Sequence, residues 1–417
     1  MKIASDSSQK DGLNTDLPVS PAAKRRLFGC VTLIGAVLVG LIIAEMVLRV
    51  VGYSAPEFYA ADDDLGYTLI PGMTGWYTKE GRTFVSINSD GFRDDEHAVA
   101  NPEGALRVAV IGDSYVEGFQ VPDDQLFTTF LADEVQKCGG FGGRKLEILK
   151  FGVSGYGTGQ ELLVLRDKVW RYEPDVVLVL MTTNNDITDN SRYFKKVPIP
   201  YFRIGEGGLV LDDSFKQEAA FIARSSRLGR TGTWLKNHAR LVQALGAIVT
   251  AVKYRYQEWK AGPAPQVVPT QDVAAEVGVD NQIYRRPADA NWEQAWRVTE
   301  ALIAQMKDEV ESRAAKFVVV TGSNGVQVLP NVDERAAFAK RLGVDDLYYP
   351  DRRIAEFCRA HSISAITLAP ILAERAARDN VNLHGFEGNL GYGHWNQLGH
   401  RVAGEEIGKR LCDGGYR

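Results

Sequence analysis

Cysteine is scarce in this sequence. Cys30, Cys138, Cys358 and Cys412 are the four among 417 residues, too few and too scattered for a disulfide framework or a zinc site. One disulfide among the last three fits an oxidising compartment, and their spacing does not choose the pair. Histidine is scarce too: the six residues contain no H-x₃-H pair, and no glycine-rich phosphate loop ending in lysine is present. No metal and no cofactor is therefore expected. An excess of charge is also missing, with 48 Lys+Arg against 53 Asp+Glu and a net charge of −5. Nothing in the bulk electrostatics attracts a polyanion, so nucleic acid is not an expected partner. What the chain does have is apolar content, 45% of it hydrophobic, enough for one large α/β domain or two smaller ones.

The N-terminus divides sharply. Residues 1–20 are rich in Ser, Asp, Lys and Pro without apolar periodicity, and residues 1–26 read as a disordered cytoplasmic tail. From residue 27 to 44 (LFGCVTLIGAVLVGLIIA) no charge occurs. As a helix this stretch alone rises about 27 Å, and with Met46, Val47 and Leu48 it crosses a bilayer. Glu45 and Arg49, four apart at the far end, lie where charges reach the headgroup layer. Lys24, Arg25 and Arg26 precede the run, which places the N-terminus in the cytoplasm and the rest outside. No A-x-A-like cleavage site follows, so residues 27–49 are expected to remain as an uncleaved single-pass anchor in the cytoplasmic (inner) membrane, with the main domain periplasmic or extracellular.

Residues 50–104 carry glycines, the polar turn NSDGFRDDE and short runs (LGYTLI, TFVSI) that predict edge strands, a small β-rich collar. From residue 105 to 417 strands and helices alternate. RVAVIG, LEILKFG, DVVLVLMT, KFVVVTG and SAITLAP read as buried strands. DQLFTTFLADEVQK, GQELLVLRDKVWRYE, the segment from Trp292 to Arg313, RRIAEFCRAHS and NQLGHRVAGEEIGKRL read as helices. Short all-apolar strands alternating with helices predict one doubly wound parallel sheet covered on both faces, with active-site groups at the carboxyl ends of its strands. An insertion at about residues 190–290 interrupts the pattern. Its first half, from Phe215 to Lys260, reads as helical and basic, and a Pro-rich loop (AGPAPQVVPTQD) follows. A solvated helical excursion is one reading of it; a lid or membrane-facing surface is the other.

Four features, each ambiguous alone, fall at strand or loop ends in order. Ser114 follows an apolar strand in Gly112-Asp113-Ser114, which is also ordinary turn chemistry. FGVSGYGTGQ brings glycine backbone close to any ligand there. Thr183 to Asp186 (TNND) offers an amide N–H, although such residues also cap helices. GHWNQLGH sets His394 just before the last helix; His400, inside that helix, reads as structural.

With these residues the sequence resembles the SGNH/GDSL hydrolases over about residues 105–200 and 290–412. The end of the anchor, residues 44–52, and INSDGFRD at 87–94 are similar to membrane-tethered bacterial members of that family. The resemblance implies a flavodoxin-like three-layer α/β/α sandwich with a five-stranded, mostly parallel sheet behind a single transmembrane helix. It implies Ser114 as nucleophile, His394 as general base, and an oxyanion hole from the N–H groups of Ser114 and Gly155 and the side chain of Asn185. The family's acid two or three positions before the histidine is absent, those positions being Tyr392 and Gly391. A Ser-His dyad leaning on a backbone carbonyl, a carboxylate from elsewhere such as Glu387, and a weakened site all remain open. The implied activity is hydrolysis of O-acyl esters on carbohydrate or lipid, through an acyl-Ser114 intermediate. A polysaccharide O-acetyltransferase is its near relative, and a non-catalytic glycan-binding or scaffolding subunit the alternative of another class. A metal-dependent hydrolase would need a ligand cluster that the chain does not offer. The pattern leaves the oligomeric state open.

Overall fold

The structure is a computed structural model that describes residues 20–101, 104–139, 143–261 and 280–413. Most of the expected N-terminal tail and nearly all of the Pro-rich stretch lie outside these residues. The chain opens with α1 (Pro21–Val50). Pro21 suits a first helical position, where its missing N–H costs nothing. Within Lys24–Val50 an 18-residue window has a mean hydropathy of 2.7 and contains no buried residue. The helix is thus long and apolar enough to cross a membrane.

Two antiparallel hairpins follow, β1 (Tyr59–Asp62) with β2 (Gly66–Leu69) and β3 (Thr74–Tyr77) with β4 (Thr83–Ser86). The main domain then runs β5 (Leu106–Gly112), α2 (Ser114–Glu117), α3 (Phe127–Lys137), β6 (Leu146–Gly152), α4 (Thr158–Asp167), β7 (Val176–Met181) and α5 (Thr183–Asp189). A third hairpin, β8 (Tyr201–Gly205) with β9 (Gly208–Asp212), begins the insertion, and α6 (Ala219–Ser225), α7 (Arg227–His238) and α8 (Arg240–Ala261) continue it. The remainder is α9 (Ala290–Glu311), β10 (Lys316–Thr321), α10 (Val332–Leu342), α11 (Tyr349–Ala360), β11 (Ser364–Thr367), α12 (Leu368–Asp379) and α13 (Gln397–Asp413).

The five strands predicted from apolar runs form one sheet in the order β11-β10-β7-β5-β6, every neighbour parallel. This is the flavodoxin-like order, in which the connection reverses direction beside the first strand. Strands β5 and β7 are buried at every residue, as strands covered on both faces must be. Alternate residues supply two cores. Val108, Val110, Leu178 and Val320 pack under α3, α12 and α13, whereas Ala109, Ile111, Val177 and Val319 pack under α4, α9 and α11. The architecture is three layers, α/β/α.

The N-terminal hairpins share the second core. Phe58, Leu69, Val85, Ile87 and Phe92 are buried with Ile111 and Phe151, so residues 58–92 close over the sheet rather than linking to it. Three local readings differ. The insertion opens with a β-hairpin that the sequence did not suggest, ahead of the helices over residues 219–261. The predicted helix after β6 breaks at Asp167 into a short 3₁₀ turn over Val169–Tyr172. The strand read through SAITLAP ends at Thr367, and its last residues start α12. Pro370 falls in that helix's first turn, where no intrahelical N–H is needed.

Candidate active site

Strand β5 ends at Gly112, and Asp113 caps the single turn α2: its Oδ1 accepts the Tyr115 N–H at 3.0 Å. Ser114 is the first residue of that turn. It is 3% exposed and lies at the carboxyl edge of the sheet's central strands. β6 and β7 flank β5, so the turns that carry Gly155 and Asn185 follow the strands on either side of the one that leads into Ser114. Asn185 Nδ2 donates to Asp113 Oδ2 at 3.1 Å, which leaves its second amide hydrogen for another acceptor.

The backbone of the Gly155 turn is held from three directions. Ser154 N–H donates to Glu117 at 2.9 Å, the Ser154 carbonyl accepts from the Tyr67 hydroxyl at 2.9 Å, and the Gly155 carbonyl accepts from Lys195 Nζ at 2.6 Å. Gly155 has φ +77°, a conformation that favours glycine. Burial pushes the Glu117 carboxyl up to about 7 despite its bonds to Ser154 and Tyr59.

His394 arrives from the loop before α13. Its Nε2 lies 2.8 Å from Ser114 Oγ. Its Nδ1 lies 2.5 Å from Glu80 Oε2, and its backbone N–H donates to Glu80 Oε1 at 2.9 Å. A serine, a histidine and a carboxylate thus form one hydrogen-bonded chain. Its acid comes from the turn between β3 and β4, 314 residues before the histidine. Burial alone would lower the imidazole's pKa, but the Glu80 hydrogen bond and charge outweigh it and hold His394 above its ordinary value. In Glu80 burial raises and His394 lowers, and the carboxyl ends below the usual range. Both directions describe a pair that favours imidazolium beside carboxylate.

Glu387 does not take this role. It lies exposed in the loop 385–391, and Glu80 occupies the Nδ1 side of His394. Nor does a backbone carbonyl orient the ring. The glycine beside the histidine makes room for the Glu80 carboxylate. Gly393 has φ +79°, and a Cβ there would stand 2.4 Å from Glu80 Oε1, so a side chain at 393 and the carboxylate exclude each other.

The other nearby histidines are buried and kept neutral. His384 bonds Ser323 Oγ through Nε2 at 2.8 Å and the Gly393 carbonyl through Nδ1 at 2.6 Å, and burial pushes its pKa down to about 4. It braces the loop that carries His394. His400 stacks on Phe127, with burial pushing it down to about 3. Tyr115, one residue past the serine, packs its ring on both His394 and Trp395.

A cleft of about 600 Å³ opens beside His394, with Tyr59, Tyr67, Tyr77 and Phe119 in its wall and Lys79 and Lys236 at its edge. Aromatic faces next to hydroxyl and ammonium groups suit a partly apolar, hydroxyl-bearing ligand.

Among solved structures the chain is similar to an acetyl xylan esterase, AlAXEase, at 10% identity and a TM-score of 0.37, covering 73% of this chain and 100% of that one. It is similar to a lipase/acylhydrolase from Enterococcus faecalis at 9% identity and TM-score 0.35, over 74% and 96% of the two chains. It is similar also to a GDSL-like lipase from Bacteroides thetaiotaomicron at 11% identity and TM-score 0.31, over 74% and 88%. No protein-family pattern and no curated protein matches the sequence. Likenesses of this size leave the functional reading to the site itself.

Proposed function

We propose that this protein is a serine ester hydrolase of the SGNH/GDSL type, acting on O-acyl groups through an acyl-Ser114 intermediate. The Ser114–His394–Glu80 hydrogen-bonded chain carries the proposal. Ser114 Oγ attacks the ester carbonyl while His394 Nε2 takes its proton, and Glu80 stabilises the imidazolium that forms. The N–H groups of Ser114 and Gly155 and the free amide hydrogen of Asn185 Nδ2 receive the oxyanion. Collapse transfers the proton from His394 to the departing alcohol and leaves Ser114 acylated. Water, deprotonated by His394, then attacks the acyl carbon, and collapse breaks the bond to Ser114 Oγ, which takes the proton back from His394 as the acid leaves. A sugar hydroxyl in the aromatic-walled cleft could take the acyl group instead, which is the O-acetyltransferase variant of the same chemistry. The absence of an acid beside the histidine was the feature favouring a non-catalytic subunit, and Glu80 supplies that acid.

In this reading α1 anchors the enzyme, with Lys24, Arg25 and Arg26 on the cytoplasmic side and the cleft outside, facing acylated carbohydrate or lipid. The Cys138–Cys412 disulfide suits that oxidising side. Fluorophosphonate labelling of the full chain in detergent tests the proposal, together with hydrolysis of an activated acetate ester. Both are expected in the wild type and absent in Ser114→Ala and His394→Ala. A folded wild type that neither labels nor hydrolyses overturns the enzyme reading.

A further inference from the structure

Helix α8 carries a run of exposed apolar side chains. Beyond its first turn its apolar side chains stand open with respect to the described residues: Leu245, Ile248, Val249 and Val252, with Tyr256, are 52 to 61% exposed. At 3.6 residues per turn these five fall on one stripe, and Lys253 and Arg255 flank it at about 80° on either side. The opposite face is polar where it meets the body: Gln243 is buried, accepts the Ala55 N–H at 2.9 Å and donates to the Asn237 carbonyl at 2.9 Å.

The start of α8 is joined to α1. Glu45, at the end of the apolar run, accepts the N–H groups of Arg240 (3.1 Å) and Leu241 (2.8 Å), capping α8 with a carboxylate, while Arg49 donates to the His238 carbonyl at 2.8 Å. Leu38, Leu41 and Ile42 of α1 share a groove with Trp234, Leu241 and Val242. The bare stripe of α8 therefore continues the bare surface of α1.

We infer that α8 lies in the bilayer interface as a second membrane contact, its apolar stripe among the acyl chains and Lys253 and Arg255 at the anionic headgroups. The inference rests on the reading of α1 as a membrane anchor. An amphipathic helix bordered by cations is the pattern of interfacial, not spanning, helices. The chain also returns to the sheet edge at Asp280, whose N–H donates to Asn184 Oδ1 at 3.0 Å. A full crossing by α8 would need a second crossing among the 18 residues between Ala261 and Asp280, fewer than the ~20 apolar residues a span takes and interrupted by prolines and charges. The placement has a consequence for the active site. Helix α7 is the wall between them, with Thr233 and Lys236 on the cleft and Trp234 and His238 on the groove beside α1. The cleft is thereby held beside the headgroup layer.

Nitroxide scanning tests this in the full chain, with Cys30→Ser as background, reconstituted in nanodiscs of phosphatidylcholine and phosphatidylglycerol. Single labels go at Leu245→Cys, Val249→Cys and Val252→Cys on the stripe, Ala247→Cys and Thr250→Cys opposite it, and Leu38→Cys in α1. The expected result is a ratio of oxygen to nickel-chelate accessibility several-fold higher on the stripe than opposite it. Water-like ratios at all α8 positions, with a bilayer ratio at Leu38→Cys, overturn the inference and leave the anchor standing. Exclusion of both reagents along the stripe means a protein covers it, and also overturns the inference. A water-like ratio at Leu38→Cys removes the anchor and this inference with it, while fluorophosphonate labelling of the same samples reports separately on the catalytic reading.

Discussion

At the residue scale, the proposed reaction hangs on Glu80. Replacing it by glutamine keeps the shape but removes the charge that favours imidazolium and one of the two acceptor oxygens, which together serve the His394 backbone N–H and Nδ1. By analogy with the loss of about 10⁴ in kcat when a serine protease's triad acid is neutralised, Glu80→Gln is expected to lower kcat by roughly 10³ to 10⁴. The pH dependence carries the sign. His394 must be neutral to act as base, so kcat/KM rises with pH through its pKa, which Glu80 holds above the ordinary 6.5. In Glu80→Gln that limb moves toward acid, and the variant's deficit is smaller at low pH than at high pH. A pH–rate profile of both proteins checks this, and an unmoved limb assigns the base elsewhere. Gly393→Ala should imitate the defect without touching any reacting group. Its Cβ displaces the Glu80 carboxylate, and its φ of +79° disfavours alanine by about 1–2 kcal/mol. The expected outcome is a folded protein with a modestly lowered Tm and a loss in kcat near that of Glu80→Gln.

At the scale of elements, the segment Ile87–Asp94 explains how a hairpin outside the sheet holds a carboxylate at its edge. Asn88 Oδ1 accepts the N–H groups of Asp90 (3.1 Å) and Phe92 (2.9 Å), and Phe92 packs on Phe151 of β6. Arg93 is 4% exposed and donates to the carbonyls of Gly118 and Val121, just past α2. That loop presents the Gln120 carbonyl against Gly81, next to Glu80. Arg93→Met leaves these carbonyls unpaired in a buried place and is expected to cost about 2–4 kcal/mol, read by denaturant unfolding. Asp94 accepts the Lys150 N–H at 2.7 Å and touches His97, which also bridges to Glu147. Burial lowers the His97 pKa, the two carboxylates more than reverse this, and it rises to about 9. A raised folded-state pKa stabilises fully below the unfolded value near 6.5 and loses that contribution as pH climbs through about 9, some 2–3 kcal/mol. Wild type should therefore lose more stability than His97→Gln between pH 6.5 and 10.

The same elements separate what local sequence encodes from what it does not. Strands β5 and β7 were legible because their apolar runs are unbroken and glycine or polar residues end them. The serine was legible because it stands at such an end. Glu80 was not: YTKEGRT is an ordinary hairpin turn, and only a contact across 314 residues makes it an acid. Hairpin β8–β9 was missed because most of its residues are half or fully exposed and show no apolar alternation. The cap that Glu45 places on α8 spans 195 residues, while the sequence alone pairs Glu45 only with Arg49 four positions on.

At the scale of the molecule, the histidine loop is secured by the packing of α13 on α3. These helices meet closely because Gly404 and Gly408 carry no side chain; a Cβ at 404 would stand 2.2 Å from the Phe127 carbonyl, and one at 408 would stand 2.6 Å from Glu134 Cβ. Cys138, just past α3, is bonded to Cys412 in the last turn of α13, closing a loop of 274 residues. A cross-link of that length stabilises chiefly by restricting the unfolded chain, by about 2–5 kcal/mol. Its removal should act on the population of folded molecules and not on the chemistry, because the Ser114, His394 and Glu80 contacts do not pass through it. Cys412→Ser is therefore expected to lower the Tm, while fluorophosphonate labelling per folded molecule at low temperature stays within about two-fold of wild type. Added reductant should reproduce the shift in wild type and have none in the variant. A labelling rate that falls with the disulfide while the Tm holds would show instead that the bond orients α13, and through it His394.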